Sequence, residues 1–141
     1  MNSQKLLHPQ EIEVFYILPA LRRQFAVQMK AKGLKQKKIA ELLQIEEAAV
    51  SQYLNNKRGE KINFEKAVIK EIAKSTLRIT DSISLLRETQ RLLNLIRSSG
   101  TLCKIHKKMS NVPMWCGPEF VDCVKSENNG GENVPNARLI N

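Results

Sequence analysis

The pattern of apolar and polar positions is sharpest between Gln36 and Gly59, where it predicts two short helices joined by a tight turn. In each helix the apolar residues recur three or four positions apart, so they fall on one face. Ala40 is small enough to let the second helix cross closely, and Ile45 fills the turn over residues 44–46. The positions expected to meet between the two helices are Ile39, Ala40, Leu43, Val50 and Tyr53.

The residues before this helical pair predict two further helices. Residues 1–8 are expected to be loose, and Pro9 begins a short helix that should end before Pro19. A strand over Ile12–Leu18 is the alternative, although it would have no second strand to pair with. Pro19 suits the first turn of the next helix, which Gly33 ends in a left-handed conformation. The apolar side of that helix carries Leu21, Phe25 and Met29.

Two more helices are predicted after the pair. Asn63 is the expected cap of the first. Thr80 or Asp81 caps the second, which should run to about Ser99 before Gly100. The apolar side of the first carries Phe64, Val68 and Ile72. Together these five helices predict an all-α fold around one core.

The last of these helices, within residues 80–100, has more apolar residues than one core-facing stripe needs. One part of this arc should cover the core, and another is expected to meet a second copy of the chain. The alternative is a deeply buried terminal helix in a monomer. The residues of the arc are Ile83, Leu85, Leu86, Leu92, Leu93, Leu95 and Ile96.

Charge indicates a polyanionic partner for this helical chain. The chain has 141 residues, of which 42% are hydrophobic, enough for one modest core plus an appendage. Its formal charge is +9. Residues 1–78 hold 15 Lys and Arg against 8 Asp and Glu (+7), and residues 79–141 hold 8 against 6 (+2). The excess of positive charge therefore lies in the part of the chain that contains the helical pair, as a phosphate-binding surface requires. With no membrane span or basic signal region in the sequence, we expect a cytoplasmic protein without a membrane partner.

The helical pair resembles the helix-turn-helix of the Xre/Cro-like repressor family. The matching residues are Gln36, Ile39-Ala40-Glu41, Leu43, Ile45, Val50-Ser51-Gln52-Tyr53 and Asn56-Lys57-Arg58-Gly59; Leu18 to Arg23 and Lys32-Gly33-Leu34 look like the archaeal branch of its predicted regulators. The likeness covers about residues 10–62. It implies a Cro/lambda-repressor-like helix-turn-helix domain of about five helices, assigned to residues 1–79 with an N-terminal arm. Gln44 stands where the family usually has a turn glycine, and Glu46 replaces the usual Ser or Thr cap.

The second helix of the pair supplies the side chains expected to contact DNA. Its outward positions offer amide, hydroxyl, methyl and carboxylate groups that can reach base edges, and Gln36 with the amides at its helix start suits a phosphate. Lysines and an arginine on both sides can neutralise the DNA backbone. The base-facing residues are Glu47, Ala48, Ser51, Gln52 and Asn55, and the basic residues are Lys35, Lys37, Lys38, Lys57, Arg58 and Lys61.

A second candidate site lies in residues 101–124, which contain all three cysteines of the chain. Cys103 and His106 are one helical turn apart, and Cys116 and Cys123 follow. Three thiolates and an imidazole suit an iron–sulfur cluster or a zinc ion, although the spacing is irregular and the cysteines could equally carry no ligand. Few large apolar side chains lie in this segment, so we expect it to need a cross-link to fold. Residues 125–141 are rich in turn-formers and are expected to be disordered.

Two classes of function remain open from the sequence. The first is a dimeric, sequence-specific DNA-binding transcription regulator that senses redox state or iron through a cysteine-ligated centre. The alternative is a small adaptor or antitoxin that acts through a protein partner, with a structural zinc site or no metal. An enzyme is not expected, because Cys103 and His106 have no orienting acid and no oxyanion donors in the sequence pattern, and no small-molecule substrate is evident.

Overall fold

The computed structural model describes residues 5–117, which form helices and loops without a strand. The all-α class is confirmed for this range, and the alternative strand over Ile12–Leu18 is wrong. None of these helices is long and apolar enough to cross a membrane. The elements are α1 (Pro9–Ile12), a π-helical turn (Glu13–Ile17), α2 (Leu18–Ala31), α3 (Gln36–Leu43), α4 (Glu47–Leu54), α5 (Lys66–Arg78), α6 (Ser82–Ser98) and α7 (Thr101–Met109).

The π-helical turn joins α1 and α2 into one continuous helical rod that includes Pro19. The N–H of Leu18 donates to the carbonyl of Glu13, five residues back, and Pro19 follows as the second residue of α2. The wider turn accommodates a residue that has no N–H and whose ring would crowd a regular α-helix. The predicted helix end before Pro19 is therefore wrong. On this rod Ile12 and Ile17 are buried, whereas Val14 and Phe15 are exposed.

Helices α2, α3 and α4 end on the same backbone arrangement, with one residue in the left-handed conformation. That residue is Gly33 after α2, Gln44 after α3 and Asn56 after α4. In each case a following N–H closes back on the helix, which satisfies a carbonyl that a helix end otherwise leaves unpaired. The closing pairs are Leu34 to Met29, Ile45 to Ala40 and Lys57 to Gln52. The predicted role of Gly33 is confirmed.

Acidic residues occupy the N-cap positions of α5 and α6, but only Asp81 on α6 makes a side-chain capping bond. Asp81 caps α6, since its carboxylate accepts from the N–H of Ser84 at 2.7 Å, and this interaction lowers the pKa of Asp81. One of the two predicted caps is thus confirmed. Helix α5 begins at Lys66 with Glu65 in the cap position, so the predicted cap at Asn63 is wrong. Asn63 lies in the loop before α5, next to Ile62, which is buried in the core.

A buried carboxylate on α6 ties this helix to α5. Glu88 is 3% exposed, and its oxygens lie 3.4 Å from Arg78 Nη1, 3.4 Å from Arg87 Nε and 3.2 Å from Arg91 Nε. Burial raises the pKa of Glu88, but hydrogen bonds from Ser75 and the three arginines lower it by more, so the net direction is downward. The α5–α6 pair is therefore held by an ionised group as well as by apolar contact.

The start of the described range is hydrogen-bonded to the end of α7. The N–H of Leu7 donates to Ser110 Oγ at 2.7 Å, and the Ser110 hydroxyl donates to the carbonyl of Lys5 at 3.0 Å. Helix α7 packs against α1 and α6 with Leu102 and Ile105 in the core. Residues 5–8 are thus held in place, contrary to prediction, and residues 101–110 fold by burial as part of the main core. Residues 1–4 and the predicted disordered tail, 125–141, lie outside the described range.

The apolar arc of α6 is divided between core and surface. Leu92, Leu93 and Ile96 are buried, as the core-facing part of the prediction requires. Ile83 is 67% exposed and Leu86 is 58% exposed. Leu77, at the end of α5, is 66% exposed. We call Leu77, Ile83 and Leu86 the apolar patch; it lies at the adjoining ends of α5 and α6.

Candidate nucleic-acid interface

Helix α4 presents one buried face and one polar face, as the sequence predicts. Val50 and Tyr53 are 0% and 1% exposed, because they pack against α2 and α3. The opposite face is open, with Ser51 half-buried and accepting from the Asn55 amide at 3.3 Å. The exposed predicted base-facing residues are Glu47, Ala48, Gln52 and Asn55.

The turn between α3 and α4 is closed by backbone bonds and an apolar plug. Ile45 is half-buried against the core, and its N–H donates to the carbonyl of Ala40 at 3.1 Å. Gln44 adopts φ 57° and ψ 41°, a conformation that costs a non-glycine residue about 1 kcal/mol. Glu46 is the N-cap of α4 and makes no side-chain capping bond. The α4 start therefore gains nothing from a side-chain cap.

The start of α3 carries the predicted phosphate-contacting residues. Lys35 occupies the cap position without a side-chain bond, and Gln36 is the first helical residue. Gln36 is half-buried, while Lys37 and Lys38 are exposed. Lys38 lies 3.9 Å from Glu41, both of them largely exposed, so this pair is worth little and leaves the lysine able to change partners. The backbone amides at this helix start favour an anion.

The loop after α4 is anchored to α2 by contacts that the sequence analysis did not identify. Arg23 on α2 donates from Nε at 3.0 Å and from Nη2 at 2.6 Å to the side-chain oxygen of Asn56. Gly59 packs so closely on α2 that an added Cβ would lie 2.5 Å from the carbonyl oxygen of Pro19. The guanidinium of Arg58 lies 5.4 Å from the centre of the Tyr53 ring. These contacts hold the basic loop beside the end of α4.

Asn56 gives the one sequence signal for this anchoring, because asparagine is the usual substitute for glycine where a helix ends in a left-handed residue. Its partner Arg23 could not have been paired with it from sequence, since the two lie 33 positions apart. The loop carries two predicted contact residues, Lys57 and Arg58, both exposed. Lys61, further along, lies 6.0 Å from the Tyr16 ring centre. The predicted contact residues are thus carried by α3, α4 and this loop.

The predicted metal ligands are divided between α7 and the residues after it. Cys103 and Cys116 are half-buried free thiols; burial raises the pKa of Cys103, and the nearby Cys116 adds to that shift. His106 is buried, with Nε2 at 2.6 Å from the carbonyl of Leu7, so this nitrogen carries a proton and donates. Cys123 lies outside the described residues. Within residues 5–117, no three His, Cys, Asp or Glu side chains form a group suited to a metal ion.

Comparisons of the chain with family models, with curated proteins and with solved structures found no match. The polar face of α4 carries hydrogen-bonding side chains and is flanked by basic residues, the two kinds of group that contact bases and phosphates in nucleic-acid complexes.

Proposed function

We propose that the chain is a sequence-specific, DNA-binding transcription regulator in which α3 and α4 form a Cro/lambda-repressor-like helix-turn-helix. The observation that carries this proposal is that α4 has a buried apolar face and an exposed, mainly polar face. Val50 and Tyr53 are buried, whereas Glu47, Ala48 and Gln52 stand exposed on the same eight-residue helix and Asn55 is exposed just after it. A helix of this length is about 12 Å long and fits within the major groove of B-DNA.

In this proposal Gln52 provides the main base contact. Its side-chain amide can donate and accept at once, which matches the N6 and N7 atoms of adenine. Ala48 suits a thymine methyl group, and Glu47 can accept from cytosine N4. Gln36 and the amides at the α3 start would bind one phosphate, and the basic loop carrying Lys57 and Arg58 would bind another. Base contacts then set specificity while the cations set affinity.

The test begins with selection of binding sequences from a random duplex pool by the wild-type chain. Gln52→Ala should relax the preference at one base position by about 1–3 kcal/mol. Lys38→Ala should weaken binding to all sequences alike and reduce the salt slope by about 1. Lys108→Ala, which removes an exposed lysine from α7, is the matched control and should change neither quantity. Equal losses on selected and random DNA for both Gln52→Ala and Lys38→Ala would reject the assigned roles, and failure to select any sequence would reject the function.

The proposed regulator acts as a homodimer that uses the apolar patch. Each of its three side chains is more than half exposed, and exposed apolar groups that cluster in this way are typical of contact surfaces. A dimer also supplies the second recognition helix that operator half-sites require. Leu92 and Leu93 are excluded from this interface, because they are buried in the core of one chain.

We also propose that Cys103, Cys116 and Cys123 bind a metal centre, which would be an iron–sulfur cluster or a zinc ion. Cys103 and Cys116 lie close enough for their charges to interact. Nε2 of His106 already donates to Leu7, so this residue would have to ligate through Nδ1. The cysteines therefore support the proposal more strongly than the histidine does.

A protein-binding adaptor or antitoxin is the second candidate function. The apolar patch favours it, because the same surface could accept a different protein in place of a second copy of the chain. Such a partner would not need the polar face of α4. Recovery of a defined DNA sequence in the selection experiment separates the two candidates.

A further inference from the structure

A pocket of about 720 Å³ lies at the end of the molecule where α1, α6 and α7 meet. Its walls come from residues 6–10 and from residues 112–116, and so from both ends of the described range. The Leu7–Ser110 and Ser110–Lys5 hydrogen bonds fix one wall against α7. The volume falls within the range typical of small-molecule sites, about 300–1,000 Å³.

The lining of the pocket is mainly apolar. Both the buried Leu102 and the largely exposed Trp115 line the pocket. Aliphatic and proline side chains complete the walls: Leu6, Leu7, Pro9, Val112 and Pro113. An indole beside aliphatic walls offers a flat surface on which an aromatic ring can stack.

Two charged groups that line the pocket, Glu13 and Arg97, compensate each other, and the other polar residues of the lining are His8, Gln10, His106 and Cys116. Arg97 donates from Nε to Glu13 Oε1 at 3.0 Å and from Nη2 to Oε2 at 2.7 Å, and the Glu13 side chain is only 8% exposed. This bidentate pair leaves no uncompensated charge. A charged ligand would therefore lose its hydration without gaining a charged partner. A neutral ligand with a hydroxyl or amine group can instead hydrogen-bond to the carboxylate oxygens.

We infer that this pocket binds an uncharged, mainly apolar organic molecule with an aromatic ring system and one hydrogen-bonding group. The ring would lie between the aliphatic walls and Trp115, and the hydrogen-bonding group would face the Glu13–Arg97 pair. The pocket shares no residue with α3, α4 or the basic loop, although His106 and Cys116 of its lining are also ligands of the proposed metal centre.

The single tryptophan of the chain makes the test specific to the site. The full chain is titrated with N-phenyl-1-naphthylamine, an uncharged aromatic amine, and in parallel with 8-anilinonaphthalene-1-sulfonate, its sulfonated relative. We expect the amine to bind saturably at one site per chain with energy transfer from Trp115, and the sulfonate to bind that site more weakly. Absence of saturable transfer to the amine, or tighter binding of the sulfonate at this site, would overturn the inference.

Val112→Phe should fill part of the pocket and weaken binding of the amine by about tenfold or more. Val27→Phe makes the same exchange on the surface of α2, where Val27 is 37% exposed, and should leave binding unchanged. Thermal unfolding of both variants establishes that each is folded. Equal affinities of the wild type and Val112→Phe would mean that the dye binds elsewhere, which also contradicts the proposal.

Discussion

Gly59 lies against Pro19 so closely that a Cβ at position 59 would stand 2.5 Å from the proline carbonyl oxygen. Gly59 also has φ +73°, and Gly33, with φ +89°, has open space around its missing Cβ. Both glycines therefore need a left-handed backbone, but only Gly59 also needs the absence of a side chain. The contact fixes the path of the basic loop over α2.

We predict that Gly59→Ala destabilises the protein more than Gly33→Ala does. Gly33→Ala should cost about 1–2 kcal/mol from backbone strain alone, while Gly59→Ala adds the clash and should shift the loop. Chemical denaturation measures both costs. If the two variants are equally stable, the close approach of Gly59 to Pro19 has no energetic role.

Gln44→Gly should stabilise the protein, because glycine adopts the left-handed conformation of this position without steric cost. The gain is up to about 0.5 kcal/mol after the greater flexibility of glycine in the unfolded chain is subtracted from the relieved strain. Gln44→Ala keeps the strain and serves as the control, with no gain expected. The free energies of unfolding of the three proteins decide the matter, and a Gly variant no more stable than the Ala variant contradicts the prediction.

Stability should fall in acid partly through Glu88. Its folded-state pKa is lowered below the ordinary value of 4.5, so its contribution is fully present above that value and is lost as pH falls through the folded-state pKa. Glu88→Gln should cost about 1–3 kcal/mol at neutral pH and flatten the acid limb of the stability curve. Glu60→Gln, at an exposed loop position, should leave the curve intact. An unchanged acid limb in Glu88→Gln would show that its ionisation does not contribute.

The homodimer proposal predicts that Leu86→Asp weakens self-association without unfolding the chain, since Leu86 is 58% exposed. Val14→Asp places the same charge on a residue that is 55% exposed but lies on a different element, and should not affect association. Sedimentation equilibrium gives the mass and circular dichroism gives the helix content. A wild-type monomer that already occupies a palindromic DNA site would rule out the dimer.

The metal proposal predicts that Cys116→Ser lowers the metal bound by anaerobically purified protein. The same preparation should show altered DNA affinity if the centre regulates binding. Metal, iron and sulfide analysis with a visible spectrum provides the measurement, and Met114→Ser, at a highly exposed neighbouring position, is the control. If wild-type protein without metal binds DNA as tightly as the metal-loaded protein, the metal centre does not regulate binding and the thiols are ordinary side chains.

The helices between Leu18 and Ser98 could largely be predicted, because their apolar residues repeat at helical spacing and Gly33 and Asp81 mark two boundaries by local chemistry. The continuous helix through Pro19 could not be predicted, because proline strongly indicates a helix boundary and no equally strong sequence pattern indicates a π-helical turn. The start of α5 was also missed, because Glu65 occupies the N-cap position without a side-chain capping bond and so gives no cap signal in the sequence.

The candidate sites also differ in how far the sequence predicts them. The outward face of α4 follows from the period of one helix, so a single stretch of sequence is enough to predict it. The Arg23–Asn56 contact and the pocket depend on residues brought together from distant parts of the chain. The pocket in particular joins Leu7 and Cys116, a relation that only the folded chain reveals.

The π-helical turn of Glu13–Ile17 makes this part of the protein tolerant of substitution but intolerant of a change in length. Exposed side chains such as Val14 and Phe15 can be exchanged without moving their neighbours. Deleting one residue from the turn would leave regular α-helix geometry, in which the ring of Pro19 would crowd the carbonyl four residues before it. Such a deletion should therefore be far more damaging than a point change at an exposed position.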